Sequence, residues 1–366
     1  MDHDPRPPQL PAAPVPPAEP PERSFLEVVD EAVHAPDEPM QPPTLRSRKR
    51  VALILFAATV VSTFVVGMKA GGGSIAFLFT REFLGATWPE FLVFFRDGAF
   101  YSLAVMGILL THEMGHYVQA RRHRVPATLP YFIPMPLIPF GTMGAVIVQG
   151  AGFADRKKLF DIAISGPLAG LVVALPVAWY GVKFAMIRPL ETIAVGDTGL
   201  QYGEMLILKW MVAWIHGVDI ATVNIELNPL LFAGWVRIFV TALNLIPIGQ
   251  LDGGHILYTL IGRPAHYVAL GILGLAIAAM FWFEYPAFGL LIVLLVLMGP
   301  RHPPTADDSV PLGPVRIVLG WLTLAFVFIG FTPMPIVELN GDEAARSAAA
   351  ATERAGVAFS NIVHDP

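Results

Sequence analysis

AFYSLAVMGILLTHEMGHYVQA, residues 99–120, opens as an apolar run of the kind that enters lipid and then carries two histidines and a glutamate within five positions. An ionisable side chain at membrane depth costs at least about 2.5–3.5 kcal/mol unless it is paired or wet. Three such groups in one turn of an apolar helix therefore mark a working site. In a helix, positions i and i+4 lie about 40° apart around the axis. His112 and His116 accordingly project from one face and can meet at one ion. Two neutral imidazoles and one carboxylate leave a fourth tetrahedral position open, the pattern of a hydrolytic zinc centre. Glu113 stands beside the pair, placed to take a proton from water and return it to a leaving amine.

The rest of the chain agrees with a lipid setting. Of 366 residues, 54% are hydrophobic and 14% charged, against roughly a quarter charged in soluble domains. The absence of cysteine excludes disulfides, thiolate catalysis and cysteine zinc sites. A net charge of −5 with scattered basic residues gives no nucleic-acid footprint. Residues 1–45 hold 13 prolines and little apolar periodicity, which predicts a disordered tail of polyproline II character.

Spans of about 20 apolar residues are expected at 51–68, about 97–120, 159–183, 230–247, 266–283, 286–299 and 314–333. LPYFIPMPLIPFGTMGAVIVQG (129–150) is apolar but broken by prolines and glycines, so it reads as a β hairpin or loop at membrane depth, shielded by protein. The fold class expected is an all-α polytopic membrane protein with about six to seven transmembrane helices and a short membrane-embedded hairpin near the active site. Its domains are the tail 1–45, a transmembrane domain 46–334 with a catalytic core at about 97–262, and a C-terminal tail 335–366 that could hold a short amphipathic helix. Arg46, Arg48, Lys49 and Arg50, then Arg121, Arg122 and Arg124, then Arg156, Lys157 and Lys158 all fall on one side by alternate crossing. The positive-inside rule makes that side cytoplasmic, with the N-terminus and the opening of the site there. An inner (plasma) membrane of bacterial type is the location expected.

A third metal ligand is sought among acids near the same face. Asp252 appears in LDGG, where the fourth span breaks at Pro247 and returns toward the cytoplasm. Asp161, at the start of the third span, is the rival, with a charge at a helix N-terminus as its ordinary explanation. His255 is close enough in sequence to approach the metal, but a supporting role suits it better. Arg237 and Trp235 in the fourth span admit several roles and select none.

HEMGH, FGTMGAV (140–146) and NLIPIGQLDGGH (244–255) together resemble the site-2 protease family of intramembrane zinc metalloproteases, over roughly residues 97–262. The resemblance implies that His112, His116 and Asp252 bind one Zn2+ per chain and that Glu113 is the general base. It implies that Asn244 lies beside the site to assist substrate binding or the developing oxyanion. It also implies that the segment 141–147 offers a strand edge to substrate, which makes Gly141, Thr142, Met143 and Gly144 substrate-binding candidates. Residues 184–228 are too few for the PDZ domain that many bacterial members insert, so the chain looks like the branch without one. SGPLAG (165–170) is similar to a small-residue motif of the family suited to close helix packing.

The strand edge is plausible on physical grounds. Helical peptide bonds are shielded, and pairing an unwound substrate with an exposed strand offsets the lost helical bonds. Gly141 and Gly144 allow close approach, and the β-branched residues after them suit a strand. The partners expected are the lipid bilayer and the transmembrane helix of single-pass substrates, cut after a site-1-type protease has trimmed their exterior. Two other classes stay open: a pseudoprotease or chaperone that binds helices without cutting, and an ion-coupled transporter.

Overall fold

The first two apolar runs form α1 (Lys49–Gly67) and α2 (Trp88–Arg122) in the computed structural model, which describes residues 48–69, 71–150, 152–189, 199–282, 289–299, 302 and 305–339. The proline-rich tail and residues 340–366, including the expected amphipathic helix, lie outside them. α2 starts nine residues before the expected Asp97, because its beginning is set by capping and not by hydropathy. Glu90 Oε2 accepts from Thr87 N at 2.7 Å, and Pro89 sits in the first turn. Its 35 residues rise about 52 Å at 1.5 Å each, well beyond a hydrocarbon core of about 30 Å.

Between α2 and the next long helix the broken apolar stretch makes an antiparallel hairpin, β1 (Tyr131–Met135) and β2 (Gly141–Val146). The pairing slips between Phe132 and Pro134, so β2 holds an extra residue there. The Thr142 hydroxyl fills the gap, donating to Ile133 O and accepting from Gly144 N, both at 3.0 Å. Ser62 Oγ on α1 donates to Gly141 O at 2.6 Å, and Tyr101 of α2 donates to Phe140 O at 3.0 Å. A Cβ at Gly141 would lie 2.8 Å from Thr63 Cα, and its φ is +74°. Glycine at 141 is what lets the hairpin seat on α1.

Asp155 caps α3 (Arg156–Lys183) by accepting from Lys158 N at 2.8 Å. The end of α3 is fastened to α5 (Pro229–Asn244) by Asn228, which accepts from Leu231 N at 2.9 Å and donates to Gly181 O at 2.7 Å. Close approach of these two helices follows from Gly234, where a Cβ would sit 2.6 Å from Ala178 Cα. Between them run β3 (Ile187–Pro189), β4 (Gly199–Tyr202), α4 (Leu206–His216) and β5 (Val223–Ile225), in the segment the sequence reading left unassigned.

After α5, a turn leads into α6 (Asp252–Ile261), followed by α7 (Ala265–Trp282), α8 (Gly289–Met298), α9 (Pro314–Gly330) and β6 (Ile336–Leu339). β3 pairs with β5, and β6 returns to pair with β4, so the chain just past the last helix is built into the fold. Arg156 at the head of α3 donates to Thr259 O and Leu260 O at 2.6 and 3.0 Å and thus caps the end of α6.

Among the described residues, four helices are long and apolar enough to cross a membrane: α1, α2, α3 and α7. The spans expected at 230–247 and 314–333 are the shorter apolar helices α5 and α9. Their 16 and 17 residues rise about 24 Å and 26 Å. Large apolar side chains such as Leu103, Val172, Phe281 and Phe328 face outward. A belt of that kind suits lipid contact.

Candidate metal centre

His112 and His116 lie one turn apart on α2, and Asp252 is the first residue of α6. The tertiary structure brings them together. His112 Nε2 is 3.3 Å from Asp252 Oδ2, His116 Nε2 is 3.3 Å from Asp252 Oδ1, and the two Nε2 atoms are 3.2 Å apart. A tetrahedron with bonds of about 2.0–2.1 Å has edges of about 3.3–3.4 Å, so these separations suit three ligands of one zinc ion. His116 Nδ1 lies 2.8 Å from Ile162 O, and donation there leaves Nε2 with a free lone pair. Asp252 Oδ2 is buried without a hydrogen-bond partner. Donor chemistry, spacing and this unsatisfied atom all fit a divalent cation. Glu113 is buried on the same helix beside His112.

Local sequence explains how such bulky groups fit. A Cβ at Gly166 would lie 2.0 Å from His116 Nε2, and one at Gly170 would lie 3.1 Å from His112 Nδ1. The i, i+4 glycines of SGPLAG on α3 therefore make room for the i, i+4 histidines of α2. Sequence reasoning had given this motif only helix packing. The matching four-residue spacing was the signal that it lines the site. Likewise a Cβ at Gly253 would fall 1.9 Å from Leu245 O. The LDGG glycines thus let α6 fold back on the preceding turn and present Asp252.

Asp161, the rival ligand, is engaged elsewhere. It receives Arg316 Nε and Nη2 at 2.7 and 3.0 Å and lies 3.1 Å from His123 Nε2, tying α2, α3 and α9 together. His255 is engaged by another partner: its Nδ1 is 2.5 Å from His302 Nε2, and the His302 ring stacks on Tyr258. Asn244 closes α5, half-buried, on the chain that leads into α6. Gly141, Thr142, Met143 and Gly144 all lie in β2, with Met143 exposed. None of the five belongs to the His112–His116–Asp252 group. Trp235 donates its indole N–H to Gly203 O at 2.8 Å, a structural contact.

Apolar helices around the His112–His116–Asp252 cluster make a candidate membrane metal centre. Residues 100–281 match the model of peptidase family M50, and the chain belongs to that family, the site-2 proteases. It is similar to the probable zinc metalloprotease EGY1, chloroplastic, of Arabidopsis thaliana, 30% identical over 80% of this chain and 54% of that one. It is also similar to EGY3 of Oryza sativa subsp. indica, 36% identical over 66% of this chain and 42% of that one. EGY2 of Arabidopsis thaliana is 27% identical over 68% and 44%. The chain spans about half the length of the curated relatives it matches. No solved structure matches it. These relatives are named as chloroplastic, so they lend no support to a bacterial inner membrane.

Proposed function

We propose that this chain is an intramembrane zinc endopeptidase that hydrolyses peptide bonds in or near the transmembrane helices of membrane proteins. The observation that carries the proposal is the convergence of His112, His116 and Asp252 to 3.2–3.3 Å, with Glu113 buried alongside. In this reading the two Nε2 atoms and the Asp252 carboxylate hold one zinc ion. Zinc bound there supplies a Lewis acid that polarises the scissile carbonyl and acidifies water.

The protein's own groups perform the rest. Glu113 accepts a proton as the oxygen of water bonds to the carbonyl carbon, then delivers it to the amide nitrogen as the C–N bond breaks. The Ile162 carbonyl holds His116 in the tautomer that keeps Nε2 available. Asn244 assists the carbonyl oxygen, and β2 from Gly141 to Gly144 receives the unwound substrate backbone. The basic clusters around residues 46–50, 121–124 and 156–158 put the N-terminus and the opening of the site on the cytoplasmic side. Substrates are single-pass proteins whose exterior another protease has already trimmed.

The test compares purified wild type with Glu113→Gln, each assayed for bound metal and incubated with a panel of single-pass helices. Zinc-loaded wild type should cut and zinc-loaded Glu113→Gln should not. A zinc-loaded wild type that binds helices and cuts none would establish a non-proteolytic helix-binding protein instead.

A further inference from the structure

Arg237 is 2% exposed in the middle of α5, among residues 231–239 that are all buried. Its guanidinium is permanently charged and has five donors and no acceptor. Nε has no hydrogen-bond partner, and among the described residues no carboxylate lies within ion-pair distance of the group. Taking an unpaired ion out of water costs several kcal/mol. Among the described residues Glu113 is near enough for its charge to offset part of that cost but forms no ion pair with the guanidinium, which leaves room for a partner that arrives with substrate.

The surroundings show where that partner would lie. Thr241 Oγ1, one turn further on, is also buried without a partner. Arg237, Thr241 and Asn244 stand at i, i+4 and i+7, a polar stripe on one face of an otherwise apolar helix. Its far end opens into the turn that delivers Asp252. Glu113 and Tyr101 are near enough to act on the charge of Arg237. Tyr101 in turn holds Phe140 O, the residue before β2. From Arg237 to Asn244 the helix rises about 10.5 Å, a length that about three residues of extended chain cover.

We propose that Arg237 is a specificity-determining residue that receives a carboxylate of the unwound substrate about three residues from the scissile bond. A neutral carbonyl would leave the charge unbalanced, whereas a carboxylate neutralises it and takes two donors side by side. The carboxylate comes either from an Asp or Glu side chain or from the α-carboxylate of a chain end left by earlier trimming. This inference rests on the endopeptidase reading above.

The experiment uses full-length zinc-loaded protein and a single-pass helix that the wild type cuts, with the cut mapped by mass. Two matched pairs are made with the third residue from the cut as the variable: Glu against Gln, and a chain ending there as acid against amide. The expected result is a kcat/KM about tenfold or more higher for the carboxylate member of one pair. The pair that responds identifies the source. The ratio should fall to near one in Arg237→Gln and be largely kept in Arg237→Lys, which a merely structural arginine would not produce. Ratios near one for wild type in both pairs, or a ratio that survives in Arg237→Gln, overturn the proposal. Because wild type alone decides the first point, poor folding of a variant does not shield it. A zinc-loaded wild type that cuts no helix overturns the endopeptidase reading and this inference with it.

Discussion

A histidine pair on an apolar helix works only if the neighbouring helix leaves room for it. Gly166 is therefore as important as the ligands it faces. Gly166→Ala places a methyl group where a Cβ would be 2.0 Å from His116 Nε2. The imidazole must turn away from Asp252, and metal affinity should fall by about 10–100-fold, the scale seen when ligand orientation is lost. Gly170→Ala, with 3.1 Å available to His112 Nδ1, should lose less. Bound metal per chain after dialysis against a graded chelator reads both, and equal retention in the two variants and wild type would sink this account of SGPLAG.

At the level of elements, the hairpin and α1 are joined through Gly141. Its φ of +74° and the 2.8 Å approach to Thr63 Cα leave no space for a side chain. Gly144 has φ +98° and open space around its Cβ position. Gly141→Ala should thus cost about 2–4 kcal/mol by strain plus displacement of the hairpin, and Gly144→Ala about 1–2 kcal/mol by strain alone. Ser62→Ala, which removes the 2.6 Å bond to Gly141 O, should cost about 1–3 kcal/mol. Thermal melting of the detergent-solubilised protein ranks the three. A Gly144→Ala variant as damaged as Gly141→Ala would contradict the seating described.

Across the described residues, two of the links between distant parts of the chain involve carboxylates. Asp161 joins α2, α3 and α9 through His123 and Arg316. Arg316→Ala leaves that carboxylate with one partner and should lower stability by about 1–3 kcal/mol, partly recovered by adding Asp161→Asn. Melting temperatures of the single and double variants test the coupling; strictly additive losses would mean that the pair is not one unit. The candidate metal centre is the other link, since His112 and His116 on α2 meet Asp252 on α6. Zinc at 100 times its dissociation constant would add about 2.7 kcal/mol. Chelation should therefore lower the melting temperature of wild type and leave Asp252→Ala unmoved. A chelation shift of equal size in Asp252→Ala would place the ion elsewhere.

HEMGH and its i, i+4 spacing determined in advance that His112 and His116 share a face, because one helical turn fixes which side chains lie together regardless of what packs on them. LDGG made Asp252 the preferred third candidate for a similar local reason: an acid beside glycines at a break in an apolar run has few other uses. Hydropathy placed the long helices but misjudged the start of α2, which depends on the Thr87–Glu90 cap. It also could not assign 184–228, where strands of three or four residues exist only because β3 finds β5 and β4 finds β6. Which of Asp252 and Asp161 reaches the imidazoles, that Gly166 and Gly170 face them, and that Arg237 is buried without a partner were decided by the tertiary structure. Each depends on the distance between segments far apart in the chain, and sequence periodicity carries no information about that distance.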